Sequence, residues 1–185
     1  ARNLLNTKAH EVELAELKAK SMQEYIGSLP MISEAELMQG IANGTVVNAK
    51  DELGRPLLIS SEENYSGTFV YEPIATAWVD AQVLVHVLNR LSDPANDIVP
   101  SAKGLRLHQV IVRNGSLDLN WLRIPFPLGF QGCDFYETIW AEYLQVPWLM
   151  FDGCDFTPRG EILGGSEGAI NAGNLEVAFE LSFLG

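Results

Sequence analysis

Leu117-Asp118-Leu119-Asn120-Trp121-Leu122-Arg123-Ile124-Pro125-Phe126 is answered 22 residues later by Ile139-Trp140-Ala141-Glu142-Tyr143-Leu144-Gln145-Val146-Pro147-Trp148. The apolar positions correspond: Leu117 with Ile139, Leu122 with Leu144, Ile124 with Val146, Pro125 with Pro147, Phe126 with Trp148. The correspondence continues at 21 residues, with Leu128/Leu149, Phe130/Phe151, Gly132/Gly153, Cys133/Cys154, Asp134/Asp155 and Phe135/Phe156. An internal period of roughly 20–50 residues marks solenoid or propeller architectures. Inside each unit apolar residues alternate with polar ones, as in Leu117-x-Leu119 and Leu128-x-Phe130. That period of two belongs to strands. Pro125, Pro127, Gly132, Pro147 and Gly153 fall between the runs, where the chain must turn.

A half-unit precedes the repeat: Leu105-x-Leu107-x-x-Val110-x-Val112 matches Leu117-x-Leu119-x-x-Leu122-x-Ile124 at 12 residues. Short strands at a constant offset, each with one inward face, predict a short parallel β-helix in a mostly β chain with helices. Equivalent residues would lie about 4.8 Å apart. The competing arrangement is a β-sandwich of hairpins. The constant offset of the repeat favours the β-helix over it.

Gly132-Cys133-Asp134-Phe135 and Gly153-Cys154-Asp155-Phe156 carry one motif twice. It resembles the unit of the pentapeptide-repeat family, a small residue, Asp or Asn, then Leu or Phe. The likeness covers residues 105–156 and is closest to irregular bacterial members of that type. It implies that Cys133, Phe135, Cys154 and Phe156 point inward and that Asp134 and Asp155 face solvent. Some members mimic DNA with an acidic surface and bind topoisomerases. Two short coils are too short to mimic much duplex.

Around this stretch, residues 7–26 predict a helix with Val12, Ala15, Ala19, Met22 and Ile26 on one face. Two heptads are too few for a stable isolated coiled coil, so docking on its own domain is expected, the alternative being a homodimer seam. Ser33-Glu34-Ala35-Glu36 is a capping box for a second helix that Gly44 ends. Asn48 to Leu58 resembles the opening turn of an ankyrin repeat, but no second copy follows, and a β-turn between Thr45–Val47 and Leu57–Ile59 is expected. Residues 74–91, after Pro73, predict a helix that is apolar nearly all round and therefore buried. It would cap the open end of the coils. The 92–103 and 157–168 segments predict loops, and Leu175-x-Val177-x-Phe179-x-Leu181-x-Phe183 a closing strand. The division expected is 1–72, with the N-terminal helices and the β-turn region, and 73–185, with the capping helix and the coils.

The chain has 185 residues, 12 Lys plus Arg against 24 Asp plus Glu, and a net charge of −12. That balance argues against direct nucleic-acid binding and for a partner with a basic surface. The chain begins at Ala1 without Met, as a processed piece or part of a longer protein would. No apolar run approaches a membrane span, and no secretory signal opens the chain, so no membrane insertion and a cytoplasmic location are expected.

Catalytic chemistry finds little footing. Gly164-Gly165-Ser166-Glu167-Gly168 matches a nucleophile elbow, yet no His or Asp follows Ser166. His10, His86 and His108 are scattered, with no zinc spacing. His86 reads as a core histidine. Cys133 and Cys154 read as reduced thiols packed as small apolar groups, although their spacing would not exclude a disulfide. No phosphate loop or dinucleotide fingerprint is present, and neither cofactor nor metal is expected. Two functions remain. The first is a non-enzymatic binding or scaffold module, whose Asp118, Trp121, Asp134, Glu137, Glu142, Tyr143 and Asp155 form an acidic, aromatic ladder for a basic protein. The second is a carbohydrate-active enzyme using stacked carboxylates such as Asp134 and Asp155.

Overall fold

The structure, a computed structural model, describes residues 24, 27–48, 75–156 and 170–184. The chain divides into two compact units, 1–30 and 31–185. The expected helix at 7–26, the turn at 48–58 and the 157–168 loop lie almost wholly outside the described residues. Among its described residues the second unit is mixed, with two helices and parallel strands in three sheets.

Helix α1 spans Glu34–Asn43. Its start is the expected capping box: the Glu36 amide donates to the Ser33 hydroxyl, and the Glu36 carboxylate accepts from the Ser33 amide at 2.8 Å. Gly44 closes it in the left-handed conformation, with φ 62°. Gly40, inside the helix, is required by close approach, since a Cβ there would collide with the Val47 side chain.

Strands β1 (Val46–Val47), β3 (Leu105–His108), β6 (Leu128–Gln131), β9 (Gln145–Asp152) and β11 (Glu176–Leu184) form one sheet in that order. Strands β2 (Ala77–Asp80), β4 (Val110–Arg113) and β7 (Asp134–Phe135) form the second. Strands β5 (Leu117–Asp118), β8 (Ile139–Trp140) and β10 (Ile170–Asn171) form the third, with β5 at its edge. Every pairing is parallel. The repeat appears directly in the register: Leu117 pairs with Ile139, Leu128 with Leu149 and Phe130 with Phe151. The half-unit match does not. Leu105 pairs with Leu128, whereas Leu117 lies in another sheet. Both strands need alternating apolar residues, so likeness at 12 residues reported the common period and not stacking.

The turn between the first and second sheets uses one backbone state in each layer: Gln109, Gly132 and Gly153 have φ 52°, 58° and 57°. Glycine takes this state without steric cost, which explains the two glycines of the repeat. Inward rows fill the core. Phe130 stacks on Phe151 at 5.2 Å, and Phe135 on Phe156 at 5.4 Å. The two columns meet edge to face at 5.2–5.9 Å, a favoured aromatic geometry. Cys133 is buried, Cys154 is half-buried, and both are free thiols.

Helix α2 runs from Ala81 to Ser92, not from residue 74. Residues Ala77–Asp80 pair instead with Val110–Arg113. Their helix propensity yields to an unpaired sheet neighbour, and Asp80 caps the helix by accepting from the Gln82 and Val83 amides. Nor is the helix buried all round. Ala81, Leu84, Val87, Leu88 and Leu91 are buried, while Gln82, His86, Asn89 and Arg90 face solvent. The His86 side chain is 65% exposed and lies 3.9 Å from Glu34, so it is no core histidine. α2 packs against α1, β2 and β5. Trp78 belongs to β2, where the Arg113 guanidinium covers its ring at 3.8 Å.

Candidate functional site

The candidate surface grows from a turn made three times. Leu119–Leu122, Ala141–Leu144 and Ala172–Leu175 each turn the chain after a strand of the third sheet. The Trp121 amide donates to Glu142 O, and the Tyr143 amide to Gly173 O, both at 2.9 Å. The turns are therefore stacked in register, with Trp121, Tyr143 and Asn174 at equivalent positions. All three are left-handed, with φ 63°, 57° and 54°. The third copy, Ile170-Asn171-Ala172-Gly173-Asn174-Leu175-Glu176-Val177, answers Ile139 to Val146 at an offset of 31. The constant offset of the first two copies hid it.

Trp121 and Tyr143 stack face to face, with centroids 4.0 Å apart and planes 13° apart. They are 71% and 42% exposed. Trp121 heads this row, so one face of its indole lies against Tyr143 and the other has no stacked neighbour among the described residues. The same layers carry Asp118, Glu137 and Glu142. Exposed Asp118 accepts from the Asn120 amide at 3.0 Å. Asn120 in turn accepts from the Glu142 amide at 2.7 Å. Exposed Glu137 accepts from the Gly115 amide at 3.0 Å. Asp118, Trp121, Glu137, Glu142 and Tyr143 thus belong to adjoining layers around β5 and β8.

Asp134 and Asp155 do not join them. They lie on the second sheet, in the outward row Trp78, Ile111, Asp134, Asp155. Asp134 is only 8% exposed and Ile111 2%. The expected solvated face is corrected here. Alternation decides which side of a sheet a side chain takes, not whether that side is wet. The expected stacking of Asp134 on Asp155 is present as a parallel bridge, with Asp155 half-buried.

On the first sheet His108 stands over Gln131 and Asp152. Burial and then the nearby Arg106 charge lower its pKa, against the smaller upward pull of Asp152 and Gln131. A cavity of about 510 Å³ opens where β10 and β11 join the older strands, lined by Leu119, Ile139, Leu149, Phe151, Ile170 and Val177 among others. Sequence reading missed it because the third turn was not seen. Among the described residues no three His, Cys, Asp or Glu side chains gather around a common point for a metal ion, and no helix is long and apolar enough to cross a membrane. No protein-family model, curated protein or solved structure matches this chain.

Proposed function

We propose that residues 31–185 form a short, irregular pentapeptide-like β-helix serving as a non-enzymatic binding or scaffold module for a protein with a basic surface. The chain visits the three sheets in turn, β3-β4-β5 and then β6-β7-β8, which supports reading them as faces of successive coils. α2 then acts as the cap, since it packs on the edge strand β5. The observation that carries the binding reading is the exposed Trp121–Tyr143 stack, in layers that also carry Asp118, Glu137 and Glu142. A cation over an indole face contributes about 0.5–2 kcal/mol, and Arg113 over Trp78 is an example of that contact inside the chain. The carboxylates of these layers and the charge of −12 would steer a basic surface toward this side.

The adjoining Asp134 and Asp155 are what a carbohydrate-active reading would use. The coverage of Asp134 weighs against it, since a sugar must reach both carboxylates. The test is binding of an arginine-rich peptide to the immobilised protein at several salt concentrations. Trp121→Ala should weaken binding at least several-fold, and Asp118→Asn with Glu142→Gln should slow association and flatten its salt dependence. Unchanged binding in both variants would defeat the proposal. Polysaccharide hydrolysis by the wild type, lost in Asp155→Asn, would replace it with the enzyme reading.

A further inference from the structure

Cys133 and Cys154 occupy adjoining layers of the second sheet. The register is fixed on both sides of them, by Gln131 with Asp152 and by Asp134 with Asp155. The Asp155 amide donates to Cys133 O at 2.9 Å, and the Gly132 amide to Asp152 O at 2.7 Å. In-register neighbours of parallel strands lie about 4.8 Å apart, inside the 4.4–6.8 Å Cα span of a disulfide. Both thiols lean the same way, each toward the layer before its own: Cys154 Sγ lies 3.3 Å from Phe130 O and Cys133 Sγ 3.5 Å from Leu107 O. The two side chains are hydrogen-bonded to each other. The two differ in access and acidity. Cys154 is half-buried, and a hydrogen bond from Cys133 chiefly lowers its pKa. Cys133 is sealed in the core, and burial pushes its pKa well up.

We infer that Cys133 and Cys154 form a redox modification site, with Cys154 the thiol that reacts first and Cys133 the thiol that resolves it into an intrachain disulfide. The oxidant is a low-molecular-weight disulfide, RSSR. Cys154 loses its proton and attacks one sulfur; the RS–SR bond breaks, RS⁻ leaves and takes up a proton. Cys133 then loses its proton and attacks Cys154 Sγ, expelling the second RSH. Two cysteine thiols are oxidised and one RSSR is reduced to two RSH. The site is independent of the Trp121 surface. The bond would staple one coil to the next and close a loop of about 20 residues, which stabilises mainly through the unfolded chain.

The experiment incubates the native full chain with glutathione disulfide, blocks free thiols and reads the intact mass and peptide map. The wild type should lose two hydrogens and gain a Cys133–Cys154 cross-link, with its thermal midpoint raised by roughly 6–12 °C. Cys133→Ala should stop at a glutathione adduct on Cys154. Cys154→Ala should leave Cys133 unmodified. Three results overturn the inference: a wild type that keeps the adduct without closing it, one that forms only intermolecular disulfides, or one that stays reduced while its urea-unfolded form reacts. The wild-type result alone decides the matter if either variant misfolds.

Discussion

Replacing Trp121 by glycine separates what the side chain does for the fold from what it presents. Trp121 sits at φ 63°, a state that costs a non-glycine residue about 1–2 kcal/mol. Glycine removes that strain but gives the unfolded chain more freedom, which costs roughly 0.5–1 kcal/mol. The lost stack on Tyr143 removes about 0.5–1.5 kcal/mol. Little burial is lost, because the residue is 71% exposed. These effects nearly cancel, so Trp121→Gly should change stability by between about 1 kcal/mol of gain and about 1.5 kcal/mol of loss. Urea unfolding followed by circular dichroism measures it, with a midpoint shift on heating of about 2–4 °C per kcal/mol for a chain of this size. A loss above about 3 kcal/mol would refute the reasoning. It would make Trp121 a structural anchor and remove its standing as a presented group.

Other expectations follow from the core and from titration. Phe135 touches Phe130, Phe151 and Phe156, so Phe135→Ala should cost about 3–5 kcal/mol by chemical denaturation. Trp78→Ala, on the outward row beside Arg113, should cost clearly less. Cys133→Asp should prevent folding by burying an unpaired charge, whereas Cys133→Ala should cost only about 1–2 kcal/mol; soluble, folded Cys133→Asp would contradict the inward assignment. The folded-state pKa of His108 is lowered, so the unfolded chain takes up its proton first as pH falls through about 6.5. Stability from this group is therefore full above that pH and lost below it. Between pH 7 and pH 5 the wild type should lose stability relative to His108→Gln, and parallel unfolding curves would count against the assignment.

The repeat was legible because inward rows must carry apolar residues at the same step as the strands they lie on. Leu117/Ile139 and Phe130/Phe151 report packing directly. The capping box at Ser33 and the glycines at 132 and 153 were legible because caps and left-handed corners have narrow chemical requirements. Strand Ala77–Asp80 was not, since its alternatives differ in a long-range pairing with Val110–Arg113 that no local pattern reports. Trp121 and Tyr143 were legible as an outward pair through their shared offset. The burial of Asp134 was hidden for a related reason: alternation gives the side of a sheet, while cover comes from elsewhere in the fold.

The three stacked turns also say something about why the exposed aromatics are there. The backbone needs a left-handed residue at 121, 143 and 174, and Asn174 meets that need with a residue type that tolerates it. Trp and Tyr tolerate it poorly, and neither fills the core at these corners. Their mutual stack offsets part of the strain but would not arise if asparagine or glycine stood at both places. Folding alone therefore accounts for Asn174 and fails to account for Trp121 and Tyr143. A strained conformation held on an exposed surface, by residues that interfaces favour, supports a presented recognition element. Registered backbone hydrogen bonds on both turns hold the pair in place, so a partner would pay little entropy to order it.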